Sequence, residues 1–270
     1  MREYISSPAN KLIKQAISLK QKKYRDSLGM FIAEGVRLLE ECVDAGWPVE
    51  TCIYTEVAAT RDRTRSLIDR LEKLHCQMVV VPESIYNKIS DTEQPQGIMV
   101  ILKKRQATLE GLVSAAGKLP LIIVMDGIQD PGNVGTVIRT ADAAGCTGVV
   151  ALKGSADMYA GKTVRATMGS LFHLPVVEGA SSEELIAGLK RAGISILASS
   201  LQKSDVYYET NLKCSVAIVL GNEGQGVSNE LLQAADACVH IPLVGKAESL
   251  NVAVASGILM YEAVRQRTTL

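Results

Sequence analysis

An α/β protein built on a mostly parallel sheet is what this 270-residue sequence predicts, and three observations carry the reading. From Leu119 onward, short and nearly unbroken apolar runs alternate with helical stretches, the pattern of a parallel sheet covered on both faces. Two of those runs, residues 215–220 and 239–242, stop at glycine-bearing loops (221–226 and 243–248) that neither a strand nor a helix can absorb. A third polar turn, residues 126–133, follows the apolar run 121–125. In open α/β sheets such strand ends hold ligands, because glycine lets backbone come close and leaves N–H and C=O groups free to bond.

Taken in order, residues 10–20 place Leu12, Ile13, Ala16, Ile17 and Leu19 near helical spacing. Residues 31–46, with Ala33, Val36, Leu38, Leu39 and Val43, read as a second amphipathic helix. Strands are expected at 49–54, 77–81 and 97–102, with helices at 61–74 and 83–90. This makes a small α/β domain over 1–105, joined by a polar, small-residue linker (106–118) to a second domain over 119–270. There the expected order is strand 121–125, helix 134–144, strand 148–152, helix 162–169, strand 174–177, helix 183–192, strand 194–198, and then the two strands already named. The chain closes on a helix over 249–267, with Ser249 as its N-cap. That helix is apolar nearly all round, so it is expected to be buried on several sides, at a subunit interface.

Composition excludes several classes. No run approaches the roughly 18 apolar residues of a membrane helix, and Met1-Arg2-Glu3-Tyr4 opens no signal peptide, so a cytoplasmic protein without membrane contact is expected. The six cysteines form no C-x-x-C pair and no metal-spaced cluster, which predicts free thiols and no metal site. His75, His173 and His240 are solitary. Neither a G-x-G-x-x-G nor a G-x-x-x-x-G-K-[ST] phosphate loop is present. Tyr207-Tyr208 could stack bases, but 4% aromatic content is low for stacking-led recognition, and strand-edge packing is the expected role. Formal net charge is zero. The first thirty residues nevertheless hold seven basic side chains against two acidic ones, an excess of five that includes Lys22 and Lys23. Such a segment suits either phosphate contact or a solvated helix face.

The turn at 126–133 ends in Asn133, expected to cap the helix that follows. On that helix Val134, Val137, Ile138, Ala141 and Ala144 share one face, and Arg139 lies opposite with Gly135 one turn before it. Glycine there is less favourable than alanine by about 1 kcal/mol, so this side is read as facing a substrate.

With N-x-G-x-x-x-R at Asn133, Gly135 and Arg139, L-G-N-E-G-x-G at residues 220–226, and I-P-x-x-G-x-x-x-S-L-N-V-A-V-A at residues 241–255, the chain resembles the SpoU (TrmH) family of RNA 2′-O-ribose methyltransferases, over roughly Leu119 to the C-terminus. Arg165-Ala-Thr-Met-Gly-Ser170 also looks like a family segment. Phe31-Ile-Ala-Glu34-Gly35-Val-Arg37 looks more loosely like the ribosomal-protein-like substrate-binding domain often joined ahead of it. The resemblance implies a C-terminal knotted (trefoil) α/β sheet, a homodimer through that domain, and S-adenosylmethionine as cofactor. It implies cofactor contacts at Leu220, Gly221, Asn222, Gly224, Ile241, Ser249, Leu250 and Asn251. Arg139, supported by Asn133 and Glu223, would serve the reaction, and Arg139, Arg165, Lys22, Lys23 and Arg37 would meet RNA, ribosomal ahead of transfer RNA. A guanidinium stays protonated in proteins, so Arg139 is expected to orient the ribose hydroxyl and stabilise its developing charge rather than act as a base. Two other readings stay open at this point: a non-catalytic RNA-binding or assembly protein with a relic pocket, and an ordinary nucleotide-dependent enzyme, which would lack its phosphate-binding glycines.

Overall fold

The computed structural model describes residues 2–105, 107–114 and 119–268, which divide into two compact units. The first holds residues 2–105 together with Tyr159–Phe172, and the second holds the remaining described residues.

In chain order the first unit contains β1 (Arg2–Tyr4), α1 (Lys11–Ser18), α2 (Lys22–Leu28), β2 (Met30–Glu34), α3 (Val36–Asp44), β3 (Val49–Tyr54), α4 (Glu56–Ala59), α5 (Asp62–Lys73), β4 (Gln77–Val80), α6 (Glu83–Ile89) and β5 (Ile98–Lys103). The strands form a mixed sheet in the order β1-β4-β3-β5-β2. β4 runs parallel to β1 and β3, while β5 runs antiparallel to β2 and β3. One face packs Ile53, Val79, Met99 and Ile101 against Ile13 and Ala16 of α1 and Ile85 of α6.

The expected helix over 31–46 is in fact two elements. Residues 30–34 pair with β5, Phe31 opposite Leu102 and Ala33 opposite Val100, and the helix begins only after Gly35, at φ 109°. Apolar spacing alone cannot separate a buried strand from a helix segment, and here strand pairing decided. Helix α2 was not expected. Its one buried residue is Arg25, which donates to the carbonyls of Leu19 and Lys20, both at 2.7 Å.

The second unit contains α7 (Leu109–Val113), β6 (Leu121–Met125), α8 (Pro131–Ala143) and β7 (Gly148–Leu152). The chain then visits the first unit through α9 (Gly161–Ala166) before β8 (Val176–Ala180), α10 (Ser182–Arg191), β9 (Ser195–Ser199), β10 (Asp205–Val206), β11 (Val216–Leu220), α11 (Asn229–Ala234), β12 (Ala237–His240) and α12 (Val252–Thr268). Seven strands in the order β10-β12-β9-β11-β6-β7-β8 pair parallel throughout. β6, β7 and β11 are buried along their whole length, which is why they read as continuous apolar runs.

Three expectations are corrected here. Residues 107–114 of the presumed linker include α7, whose Leu112 is buried in the core of the second unit; Gln106 and residues 115–118 lie outside the described residues. Helix α8 is capped by Asp130, whose Oδ1 accepts from Asn133 N at 2.8 Å, so Asn133 sits inside the first turn. Helix α12 starts at Val252, and its cap is Asn251, which accepts from Ala253 N (2.9 Å) and Val254 N (3.3 Å), rather than Ser249.

α12 is also less uniformly apolar than its sequence reads, since Glu262 and Gln266 are buried. Gln266 Nε2 donates to Glu262 Oε1 at 2.8 Å, and Gln266 Oε1 accepts from Leu212 N at 2.8 Å. Arg267 donates to four carbonyls, those of Leu212, Leu119, Pro120 and Cys214, at 2.6–3.1 Å. Among the described residues no helix is long and apolar enough to cross a membrane.

Candidate active site

The parallel sheet brings the carboxyl ends of β6 and β11 side by side, Met125 opposite Leu220, and one further rung, Asp126 N to Leu220 O at 2.8 Å, carries the pairing into the loops. The loop after β11 closes on itself. Asn222 and Gly226 exchange backbone bonds (3.0 and 2.9 Å), and Asn222 Oδ1 accepts from Gly224 N and Gln225 N at 2.9 and 3.1 Å. A Cβ on Gly221 would lie 2.1 Å from the carbonyl carbon of Gly226. The bare backbone at Gly221 therefore serves the turn's own closure before it serves any ligand.

Two asymmetric links tie this loop to the loop after β6. Asn222 Nδ2 donates to Gly127 O at 2.7 Å, and Ser228 N donates to Asp126 Oδ2 at 2.7 Å. A third joins all the motif segments. Asn133 Nδ2 donates to Glu223 Oε1 at 3.0 Å, while its Oδ1 accepts from Asn251 Nδ2 at 3.0 Å. Asn133, from the first motif, thus stands between Glu223 of the second and Asn251 of the third. Burial alone would raise the Glu223 pKa, but donors from Asn133 and from the backbone of Gln129 and Asp130 outweigh it and hold the carboxyl below the usual glutamate range. Glu223 is therefore ionised at neutral pH with its oxygens engaged, which suits a strut rather than a proton acceptor.

Arg139 lies six residues beyond Asn133 on α8, exposed, opposite the buried Val134, Val137, Ile138 and Ala141. Gly135, expected on the same open side, is itself buried, and Ala144 is only half-buried. Among the described residues Arg139 makes no hydrogen bond or ion pair. The third loop, from Pro242 to Leu250, is largely exposed, and among the described residues no hydrogen bond engages its backbone. Leu220 and Gly221 are buried, Asn222 and Ile241 half-buried, and Gly224, Ser249, Leu250 and Asn251 exposed. The third loop thus offers open backbone donors and acceptors next to a loop fixed by its own bonds.

The candidate RNA residues of the first unit fall on three elements. Lys22 and Lys23 are exposed on α2, with Lys23 Nζ 5.8 Å from the Tyr24 ring centre; Arg37 is exposed on α3, and Arg165 half-buried on α9. Two of the three histidines take structural partners. His240 Nδ1 is 3.0 Å from Ser204 Oγ and His173 Nδ1 is 3.3 Å from Asp142 Oδ2. Tyr207 and Tyr208 form a short 3₁₀ turn and meet edge to face at 5.1 Å. Sequence reasoning missed Asp126 and Asp130, the carboxylates that anchor two loop–helix junctions. Their position directly after the first apolar strand was the available signal.

A seven-stranded parallel sheet whose strand-end loops are cross-linked, with an unpaired arginine on α8, has the architecture of open α/β proteins, in which ligands bind outside the carboxyl ends of the strands. The chain belongs to the SpoU rRNA Methylase family, which it matches over residues 120–261, and residues 10–100 match the MRM3-like substrate binding domain. It is 37% identical over 257 residues to the 23S rRNA (guanosine(2553)-2′-O)-methyltransferase RlmP of Bacillus subtilis, covering 95% of this chain and 97% of that protein. Among solved structures, the AdoMet-bound rRNA methyltransferase of Sinorhizobium meliloti is similar with a TM-score of 0.86 and 32% identity over 99% of both chains. The SpoU methyltransferase AviRb of Streptomyces viridochromogenes, in complex with AdoMet, is similar with a TM-score of 0.87 and 29% identity, over 96% of this chain and 98% of that one.

Proposed function

We propose that this chain methylates a ribose 2′-hydroxyl of ribosomal RNA, with S-adenosylmethionine as donor, residues 1–105 as the RNA-binding domain and residues 119–270 as the transferase domain. The observation that carries the reading is the Glu223–Asn133–Asn251 hydrogen-bonded chain, which joins three separate motif segments around one cradle. S-adenosylmethionine supplies a methyl group already activated on a sulfonium, so the protein's work is placement and charge stabilisation.

The backbone at Leu220, Gly221, Ile241 and Leu250 would hold the cofactor, beside Asn222, Gly224, Ser249 and Asn251. Asn133 and Glu223 keep those loops in register. Arg139 orients the ribose hydroxyl, stabilises its developing negative charge and grips a neighbouring phosphate, because a free guanidinium presents a planar fork of donors. Lys22, Lys23, Arg37 and Arg165 supply phosphate contacts from the first unit. Val254, Ile258, Tyr261 and Arg265 recur at helical spacing along one face of α12, and Val254 and Tyr261 are half exposed. That stripe supports a homodimer through the C-terminal helix.

Arg139→Ala tests the assignment. Turnover should fall by about 10² to 10³, while calorimetric affinity for S-adenosylmethionine stays unchanged. Near-full turnover with unchanged RNA affinity would refute the role. Mapping 2′-O-methyl positions in total RNA with and without the protein identifies the nucleotide.

A further inference from the structure

The cations of the first unit fall into two groups. On α5, Arg63 pairs with Glu40, Arg65 with Asp62 and Arg70 with Asp44, and Arg2 of β1 pairs with Glu72 and Asp69 of the same helix. α5 packs on α3, and neither helix adds a residue to the core that α1 and α6 form with the sheet. On α1 and α6 the pattern is reversed. Lys11 and Lys14 of α1 and Lys88 of α6 are exposed, and among the described residues none of the three makes a hydrogen bond or ion pair.

These lysines share one surface. Ile13 and Ala16 turn the inner side of α1 to the core, which leaves Lys11 and Lys14 one turn apart on its outer side. Ile85, Tyr86 and Ile89 do the same for α6, so Ser84, Asn87 and Lys88, at i, i+3 and i+4, stand together on the outside. The two helices lie side by side with their C-terminal ends pinned, since Lys20 Nζ donates to Ser90 O at 2.8 Å. Ser84 and Asn87 are exposed and, among the described residues, also without a partner. α1 has no acidic residue. The single acid of α6, Glu83, sits in its first turn, where it complements the helix dipole. Neither helix presents an aromatic ring, because Tyr86 is buried.

We infer that the outer face of α1 and α6 is a docking surface for double-stranded RNA, held by phosphate contacts from Lys11, Lys14 and Lys88 and by the neutral donors of Ser84 and Asn87. Exposed lysines without partners are hydrated point charges that meet phosphates without a fixed geometry. The arginines of α5 are engaged by the protein's own carboxylates and would have to break those pairs first. A single strand is held largely by stacking its bases on rings, and this face has none to offer. A duplex hides its bases and presents phosphates and 2′-hydroxyls, the groups that lysine, serine and asparagine bind. The inference rests on the RNA-methylation reading above and adds that the first domain grips an RNA stem by its backbone rather than by its bases.

The test measures binding of the full chain, by fluorescence anisotropy, to an RNA duplex of about 16 base pairs, the span of a duplex-reading domain, and to one of its strands alone. The triple variant Lys11→Gln, Lys14→Gln, Lys88→Gln should bind the duplex at least about tenfold more weakly near physiological salt. Its plot of log affinity against log salt should be shallower by about 2 to 3, roughly one per lost phosphate contact. Single-strand affinity should change by about twofold or less, because the face does not serve that mode. Lys73→Gln, at the unpaired cation of α5, should change neither affinity by more than about twofold. Melting temperature and affinity for S-adenosylmethionine should stay as in the wild type. Duplex binding by the triple variant within twofold of wild type, or an equal loss on duplex and single strand, overturns the inference. A wild-type chain that transfers no label from methyl-labelled S-adenosylmethionine to ribosomal RNA refutes the functional reading instead.

Discussion

Gly221→Ala probes the cradle most directly, because the structure sets the size of its effect. The added Cβ would lie 2.1 Å from Gly226 C, 2.2 Å from Val227 N and 2.5 Å from Gly226 O, all backbone atoms. An ordinary contact needs about 3.5 Å, so the far side of the turn must recede by more than an ångström. That displacement stretches both Asn222–Gly226 backbone bonds beyond hydrogen-bond range. Two bonds at about 1 kcal/mol each, with overpacking of about 1–3 kcal/mol, give a penalty of roughly 3–5 kcal/mol on the loop. At about 1.4 kcal/mol per tenfold, affinity for S-adenosylmethionine should fall at least about 100-fold by calorimetric titration. Gly257→Ala, on α12, is the control. Its Cβ would meet only Thr140 Cγ2, at 3.7 Å, and affinity should change by about twofold or less, since that distance is an ordinary contact. If Gly221→Ala binds the cofactor within threefold of wild type, or the two substitutions harm binding equally, the argument that loop closure shapes the site fails.

Further predictions concern the same framework. The Glu223 carboxyl is held below its ordinary range, so its stabilising contribution is complete above the usual glutamate value of about 4.3 and is lost as pH falls through the depressed folded value. The melting-temperature difference between wild type and Glu223→Gln should therefore be constant from neutral pH down to about 5 and shrink below it, where glutamates protonate; a difference that fades near neutrality would refute the assignment. Asn133→Asp removes the amide donor and sets two carboxylates side by side, so cofactor affinity should fall about tenfold or more. Adding Glu223→Gln restores a donor–acceptor pair and should recover most of that loss; no recovery would deny Asn133 its bridging role. Burial pushes the thiols of Cys42 and Cys146 up to about 12 and that of Cys52 well above its normal value. In the native protein these three should resist a thiol reagent at pH values where Cys214 and Cys238 react, and rapid labelling of all six would contradict the packing. Arg267→Ala leaves four carbonyls without their shared donor and should cost about 2–3 kcal/mol, read as a fall of several degrees in melting temperature.

The sequence was most legible where one local force acts alone. Strands 49–54, 121–125 and 148–152 run as expected, residue for residue; the latter two are buried along their whole length and so leave continuous apolar runs. It was least legible where tertiary pairing overrides local pattern. Ala33 fits a helical stripe with Val36 and Leu39, yet its partner across the sheet is Val100, some seventy residues away. The caps were misplaced by two or three residues for a related reason. Asn133 and Ser249 are both good cap residues, but Asp130 and Asn251 hold those positions, and nothing local ranks one short polar side chain above another. Nor could pattern alone assign Tyr159–Phe172 to the first unit. The segment lies among residues of the transferase family by sequence, and only its aromatic partners Phe31 and Trp47 draw it elsewhere.

The misplacement of Asn133 bears on function. As a cap it would have spent its side chain on one backbone N–H. Relieved of that by Asp130, it is free to donate with one atom to Glu223 and accept with the other from Asn251, which an ionised carboxylate, an acceptor only, could not do. The choice of neutral donors for Glu223 has a second consequence. A lysine or arginine would bind that carboxylate more strongly, but it would place a competing cation in the region where an anionic substrate must come. With Glu223 satisfied by an amide and by backbone, the positive charge of Arg139 is not drawn into a structural ion pair. On the proposed reading, it stays available for phosphate and for negative charge developing on the ribose oxygen.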